Sequence, residues 1–255
     1  TVTVKRSEAA EVENGYQATI KVPLSGLSVA KVIGMDVVVT NGDKTAAFND
    51  LTGKQGTSSK YYAKVTMKPG VEKAAYGTVT VDGDKDAVWD NAGTIPITIN
   101  LGSNVSANAK LLWDKDNFYV YAEIKDPVLN NTNGDAWEQD SLEVFIDENN
   151  GKSNSYEDDD KQYRISYVND HSFNGKKCLE ENMKSVAKIT SDGYVVEASF
   201  KWTDITPKAG DEIGLEFQIN DADASGKRIG TLSWNDETGM GWSKPEVFGT
   251  VKLGE

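Results

Sequence analysis

The 255-residue sequence predicts an all-β protein, an antiparallel β-sandwich of jelly-roll or immunoglobulin-like kind preceded by a partial copy of the same fold. Three observations predict the sandwich. Short runs alternate apolar and polar residues, Gly, Asn and Asp clusters separate those runs, and helical periodicity is absent over any useful length. The runs are, in order, NFYVYAEIKD (117–126), SLEVFIDEN (141–149), QYRISYVND (162–170), GYVVEASFKW (193–202) and DEIGLEFQIND (211–221). Between the second and third lies ENNGKSNSYEDDDK (148–161), whose polar, acidic composition reads as a surface loop.

An internal repeat predicts the partial copy. GYQATIKVPLSGLSVAKVIGMDVVVTNGD (15–43) parallels GYVVEASFKWTDITPKAGDEIGLEFQINDAD (193–223). The parallel continues from FND (48–50) to WND (234–236), and from YYAKVTMKPG (61–70) to VFGTVKLGE (247–255). Residues 1–73 therefore read as the C-terminal part of one domain plus a linker, and 74–255 as a complete second copy, with the boundary in KPGVEKAAYG (68–77).

Alternation also assigns faces. In 141–147, Leu142, Val144 and Ile146 point one way while Ser141, Glu143, Phe145 and Asp147 point the other. In 163–168, Tyr163, Ile165 and Tyr167 share a face, leaving Arg164, Ser166 and Val168 opposite. If these runs pair, Glu143 and Arg164 share the polar face, either as a solvated ion pair or as part of a site.

Charge narrows the partners. Residues 1–75 hold ten basic and seven acidic residues; the remainder holds 17 basic and 33 acidic, leaving the chain at −13. Such a surface repels phosphate backbones, so nucleic acid is not expected as a partner. Basic clusters that would attract an anionic membrane are missing, and no run approaches the roughly 18 apolar residues of a spanning helix. The first residues, TVTVKRSEAAEVENG, lack an apolar signal region, as a mature secreted protein or an excised piece of one does. One cysteine, Cys178, makes no internal disulfide, and one histidine, His171, makes no zinc site. Both are expected at surface loop positions without a role, which leaves little room for nucleophilic catalysis.

The six tryptophans divide by setting. Trp89, Trp113, Trp202 and Trp234 sit within or beside apolar runs and are expected in the core. Trp137 follows LNNTNGDA and Trp242 sits in ETGMGWSKP, both Gly- and Asn-rich loops. A large aromatic there forgoes burial and needs another reason to be present. A sugar ring offers an apolar C–H face for stacking and a rim of hydroxyls for polar partners. Trp137 and Trp242 with Glu143, Gln139 and Arg164 supply both kinds of group.

Several segments make the sequence recognisable: AWEQDSLEVFIDENNGKSNSYEDDDKQYRISYVND (136–170), VDGDKDAVWD (81–90), KDPVLNN (125–131), GYVVEASFKW (193–202) and INDADASGKRIGTLSWND (219–236). Over residues 74–255 the chain resembles the family 9 carbohydrate-binding modules, which are carried at the C-terminal end of family 10 xylanases. The resemblance implies a β-sandwich that binds the reducing ends of cellulose, xylan and soluble sugars. It also implies a non-catalytic module, secreted or held at the cell surface, sharing its parent polypeptide with a catalytic xylanase domain. Carried over residue by residue, the two sandwiching tryptophans fall on Trp137 and Trp242, the hydrogen-bonding glutamate on Glu143, and the arginines on Arg164 and Arg228. Two positions depart from the family pattern: Ser166 and Gly239 each stand where an asparagine is expected, which removes two amides from the hydroxyl contacts.

Modules of this family carry structural calcium, so the resemblance implies calcium ligands as well. The candidates are Asp82 and Asp86 with Asp126, and separately Asp147 with the run Glu157–Asp160, including Asp158 and Asp160; clustered carboxylates suit a hard cation. Two other functions stay open at this stage. One is a glycoside hydrolase using paired carboxylates, although 40 acidic residues make some suitable pair a matter of chance. The other is a calcium-stabilised adhesion domain using the sandwich for protein contacts. Residues 1–70 are not expected to bind sugar, because the repeat places Gly56 where Trp242 stands and leaves Arg228 without a counterpart.

Overall fold

A computed structural model describes residues 8–12, 15–19, 32–41, 44–66 and 71–255. The chain divides into two compact units, Thr1–Lys68 and Pro69–Glu255. Glu72 and Lys73 thus belong with the second unit, in its first strand, so the boundary falls earlier than the repeat alone places it.

The smaller unit contains β1 (Glu8–Val12), β2 (Gly15–Thr19), β3 (Val32–Met35), β4 (Val38–Asn41), β5 (Lys44–Ala47) and β6 (Ala63–Thr66). The larger contains β7 (Glu72–Tyr76), β8 (Ile95–Ile97), β9 (Ile99–Leu101), β10 (Ser106–Trp113), β11 (Asn117–Lys125), β12 (Ser141–Asp147) and β13 (Asp160–Ser166). It continues with β14 (His171–Asn174), β15 (Met183–Ile189), β16 (Gly193–Lys201), β17 (Glu212–Ala222), β18 (Arg228–Ser233) and β19 (Gly249–Leu253). Among the described residues the helical elements are short 3-10 turns only.

The thirteen strands of the larger unit form a β-sandwich from one continuous sheet. One layer runs β14-β13-β12-β17-β19, with β18 and β9 continuing from β17; the other runs β10-β11-β16-β15, with β8 on β10. Strand β7 pairs in parallel with both β19 and β10 and so joins the layers along one side. Period-two alternation fills the space between them. Leu142, Val144 and Ile146 of β12, Tyr163 and Ile165 of β13, and Leu215, Phe217 and Ile219 of β17 face inward. They meet Leu111, Phe118, Val120, Val196 and Phe200 of the opposite layer in a single buried cluster.

The outer face of the second layer is also apolar and needs a cover. Segment 79–92 supplies it, packing Val79, Val81, Trp89 and Ala92 over Leu112, Tyr119 and Tyr121. The fully buried Glu197 pins that segment, accepting from Trp89 Nε1 (3.0 Å), Asp82 N (2.9 Å) and Gly83 N (2.8 Å). Trp113 and Trp234 are buried, and Trp202 packs partly buried against Phe118, so the sorting of the tryptophans by setting holds. Cys178 and His171 are exceptions to the surface-loop expectation. Cys178 is buried, with Sγ donating to the Gln162 carbonyl, and His171 is half-buried at the start of β14 with Nε2 at 2.8 Å from Ser185 Oγ. Polar neighbours of His171 in sequence hid a short edge strand, which tertiary pairing with β13 creates, and Cys178 lies in the loop beyond it.

Within the smaller unit, the repeat extends to register and to individual hydrogen bonds. Gly34 pairs with Lys64 as Gly214 pairs with Thr250, and Val39 with Ala46 as Ile219 pairs with Leu232. Asp36 accepts from the backbone N–H of Val37 and Asn49, as Glu216 does from Phe217 and Asn235. Asp50 accepts from Thr52 N (2.9 Å) and Gln55 N (2.9 Å), and Asp236 from Thr238 N (2.7 Å) and Gly241 N (2.8 Å). The side-chain amides of Asn49 and Asn235 donate to the carbonyls of Tyr61 and Val247. Burial is what differs. Trp234 is 6% exposed, whereas its counterpart Phe48 is 66% exposed and Leu51 is 84% exposed.

Gly249, at the start of β19, lies against the Trp234 indole, and a Cβ there would come within 2.5 Å of Cζ3. Gly249→Ala should therefore cost about 1–3 kcal/mol through overpacking. The check is a lower urea midpoint at an unchanged m-value.

Candidate functional site

The outer face of the first layer carries a pocket of about 470 Å³. Its floor is built from ladder rungs. Glu143 pairs with Gln218 on one side and Arg164 on the other, and Arg164 pairs in turn with Ser172, so one line across β17, β12, β13 and β14 presents four polar side chains. The next rung places Gln162 beside Asn174. These positions alternate with the core residues of the same strands, so the packing that fixes the core fixes the floor.

Glu143 organises the floor. Its side chain is 1% exposed. Oε1 accepts from Arg164 Nε (2.8 Å) and Asn220 Nδ2 (2.7 Å), and Oε2 accepts from Gln162 Nε2 (2.6 Å). Arg164 also donates through Nη1 to Ser172 Oγ, and Arg228 Nη1 donates to Asn220 Oδ1 (3.1 Å). A buried carboxylate with a guanidinium and two amides on it is held in one geometry, which leaves the outward donors of Arg164 and Arg228 directed for a ligand.

Trp137 and Trp242 form the walls, 47% and 56% exposed. Trp137 stands on the 3-10 turn Ala136–Glu138. Its loop is tied down by Asn133 Nδ2 to the Gly226 carbonyl (2.8 Å) and by Glu138 Oε2, which accepts from Arg228 N (3.0 Å). Trp242 stands on the turn organised by Asp236 described above, and Tyr156 Oη donates to the Gly241 carbonyl (3.0 Å). Asn174 Nδ2 reaches both Gln162 Oε1 (3.1 Å) and the Trp242 carbonyl (3.2 Å), linking floor to wall.

Five of the six candidate binding residues, Trp137, Trp242, Glu143, Arg164 and Arg228, thus line one pocket. Gln139 does not line it: its Nε2 donates to the Asn133 carbonyl (2.6 Å) and braces the Trp137 loop. Sequence reasoning missed Gln162, Ser172, Phe173, Asn174 and Gln218, which also line the pocket. Extending the alternation argument to Gln162 and Gln218 would have found two of them, since both fall on the Glu143 face. Ser166 is buried and accepts from Asp170 N. Gly239 adopts φ 70°, a left-handed turn position.

The acidic candidates regroup. Asp126 does not meet Asp82 or Asp86; its carboxylate lies with those of Asp140 and Asp221, with oxygens all within 4.8 Å of one another. Asp82 is exposed and Asp86 half-buried, because segment 79–92 serves as the cover of the second layer instead. The second group is Asp147, Asp159 and Asp160. Asp158 turns outward to an ion pair with Lys176, and Asp159 takes its place. Each group is buried and all-oxygen. Burial, and then repulsion by the neighbouring acids, pushes Asp140 and Asp160 up to about 7 and raises Asp126 and Asp147. No donor reaches the buried Asp126 Oδ2. Carboxylates so placed suit a hard divalent cation, so both groups fit calcium.

Chemically, the pocket offers two aromatic faces, two guanidiniums and several amides around one carboxylate. Among its lining residues Glu143 is the single carboxylate, and hydrolysis of a glycosidic bond by the usual route needs two.

Comparison with known proteins agrees with this chemistry. The family model described as "Carbohydrate family 9 binding domain-like" matches residues 81–255. The carbohydrate-binding module of family 9 from Caldicellulosiruptor kristjanssonii, solved in complex with cellotriose, is 36% identical with a TM-score of 0.70, covering 72% of this chain and 94% of that one. The same module in complex with glucose gives 36% identity and a TM-score of 0.70, covering 73% of this chain and 97% of that one. Endo-1,4-beta-xylanase A of Thermotoga neapolitana is 39% identical over 243 residues, 93% of this chain but 23% of the xylanase. The chain therefore spans about a quarter of the length of such relatives.

Asp236→Ala strips acceptors from three donors that shape the Trp242 turn, two backbone N–H groups and the Thr238 hydroxyl. Leaving them unpaired should cost about 1–3 kcal/mol, seen in urea unfolding, together with a change in tryptophan emission.

Proposed function

We propose a ligand and a task for this chain, which belongs to the family 9 carbohydrate-binding modules. It binds the reducing ends of cellulose and xylan, and soluble sugars such as cellobiose, glucose and xylo-oligosaccharides, without cleaving them. The observation that carries the reading is the pair of half-exposed tryptophans, Trp137 and Trp242, standing over the Glu143–Arg164 floor. The rings take the apolar faces of a terminal sugar, and the floor takes its hydroxyls. Support for the ligand class comes from the related module bound to cellotriose and to glucose.

The task is to hold an attached xylanase domain on plant cell wall, outside the cell that makes it. The xylanase relatives support this, as does the acidic surface, which suits neither nucleic acid nor an anionic membrane. No helix of the described residues is long and apolar enough to cross a membrane. Calcium is the structural cofactor in this reading, held by Asp126, Asp140 and Asp221 and by Asp147, Asp159 and Asp160. Residues 1–68 are a degenerate first module that binds no sugar: Gly56 stands where the second tryptophan would, and the strand pairings of the unit include no counterpart of β12 among the described residues.

Calorimetric titration tests the ligand. One site per molecule is expected, with reduced cellobiose binding far more weakly than cellobiose because its terminal ring is open. Trp137→Ala and Trp242→Ala should each lose detectable binding with circular dichroism unchanged, since each stacking contact contributes about 0.5–1.5 kcal/mol beyond area burial and weak sugar binding has little to spare. Wild-type affinity in either variant would refute the sandwich.

Calcium has its own test. Asp140 titrates near 7 when folded against an ordinary 3.8, so in chelator its contribution to stability is complete below the lower value and disappears as pH rises through the higher one. In chelator the melting temperature should therefore fall between pH 5 and 8, by roughly the linkage slope of one to two protons. Saturating calcium, replacing those protons, should flatten the fall and raise the melting temperature with concentration. Identical curves in chelator and calcium would remove the metal.

A further inference from the structure

We infer that the buried Asp126–Asp140–Asp221 group positions the Trp137 wall of the pocket, so that a divalent cation in that group and a sugar in the pocket bind with mutually raised affinity. The inference rests on the pocket reading above and adds to it a thermodynamic link between two separate sites.

The group sits where the elements of the pocket converge. Asp126 follows the last residue of β11, Asp140 precedes β12, and Asp221 lies near the end of β17. Residues 126–140 are the loop that carries Trp137, so two of the three acids are its two ends. Asp140 Oδ2 accepts from Asn130 N (2.6 Å), inside that loop, while Asp140 Oδ1 accepts from Ala222 N (2.6 Å), across on β17. Asp221 is the neighbour of Asn220, whose amide holds Glu143 and whose carbonyl oxygen holds Arg228. The β17–β18 pairing shifts register between Asp221 and Ala222, which marks that junction as irregular backbone. Whatever fixes the distance between Asp126, Asp140 and Asp221 therefore fixes one wall and one edge of the floor.

Strand pairing and backbone donors bring the three acids together but leave their charges uncompensated. The three carboxylates face each other with their oxygens within 4.8 Å, and none forms an ion pair with a lysine, arginine or histidine among the described residues. Asp126 Oδ2 receives no donor. Tyr194 Oη, also buried, has no hydrogen-bond partner, and the charges of Asp140, Asp126 and Asp221 act on it. Without a cation, and once the acids have lost their protons, the group repels itself, and parting of the loop ends that carry Trp137 relieves it. A cation that draws the ends together orders the wall before the sugar arrives. Reciprocity then requires bound sugar to tighten the cation by the same factor. The Asp147–Asp159–Asp160 group lies at the opposite end of β12 and contains no residue of the Trp137 loop.

The test uses the full chain with cellobiose and calcium as probes. Cellobiose affinity should fall about tenfold or more in chelator at a temperature well below the melting transition. Asp126→Asn, which keeps its acceptor for Val128 N, should show the lowered affinity even in calcium and should no longer respond to chelator. Asp221→Asn is the second variant should the first fold poorly. Calcium alone should change tryptophan emission, and Trp137→Phe should abolish that change. Equal cellobiose affinity in calcium and chelator overturns the link, as does an Asp126→Asn variant that responds to chelator as the wild type does. If calcium shifts Trp137 emission while no sugar binds, the wall-positioning holds and the pocket's ligand is misassigned. If cellobiose binds but the Trp137 signal ignores calcium, the ligand reading stands and the link falls.

Discussion

Everything in the larger unit depends on keeping each strand of the first layer in register with its neighbours. Leu142, Val144 and Ile146 are committed to the core, and Glu143 between them is committed to the pocket. A slip of one residue would drive a carboxylate into the apolar interior and turn three large side chains out to water. The energy of burying those side chains, about 1.5–3 kcal/mol each, therefore also secures the polar rung of Gln218, Glu143, Arg164 and Ser172. A binding floor obtained this way is rigid, because every one of its side chains springs from backbone that is paired on both sides or next to such backbone.

The walls follow a different logic. Trp137 and Trp242 stand on turns without a ladder to hold them, and each turn is kept in shape by side-chain oxygens gripping nearby backbone N–H groups. Asp236 does this for Trp242, and Asn130, Asn133 and Asp140 for Trp137. Short Asx-type turns of this sort are encoded locally, and ties from Asn133 to Gly226, Glu138 to Arg228 and Tyr156 to Gly241 anchor them to the rest of the unit. They leave the aromatic faces uncovered at a cost in hydrophobic burial, and a ligand that covers them recovers that energy. Rigid floor and turn-borne walls together make the pocket.

Much of this was legible in the sequence, and the exceptions have physical causes. Alternation placed Glu143 and Arg164 on one polar face, and loop composition singled out Trp137 and Trp242 because both signals are local. The floor residues on β14 and β17 were not found, because which strand neighbours which is a property of the whole sheet. The acidic groups were misjoined for the same reason. Asp82 and Asp86 look like cation ligands in their own segment, but that segment is drawn over the second layer by Trp89 and pinned by Glu197. Asp140 and Asp221 look like strand ends, and become neighbours only when β12 and β17 pair. His171 was misplaced because an edge strand of four residues carries too little alternation to read, and Cys178 because the loop after that strand folds back onto the Gln162 carbonyl.

The strand β7 has a mechanical meaning. It lies parallel to β19, with Glu72 beside Val251 and Ala74 beside Leu253, and parallel also to β10. A pull that enters before Glu72 and leaves after Leu253 draws these two neighbours past each other along their length. Their hydrogen bonds then stretch together and share the load, where a hairpin pulled from one end would open bond by bond. Tension applied between the two ends of the unit would thus load it in shear.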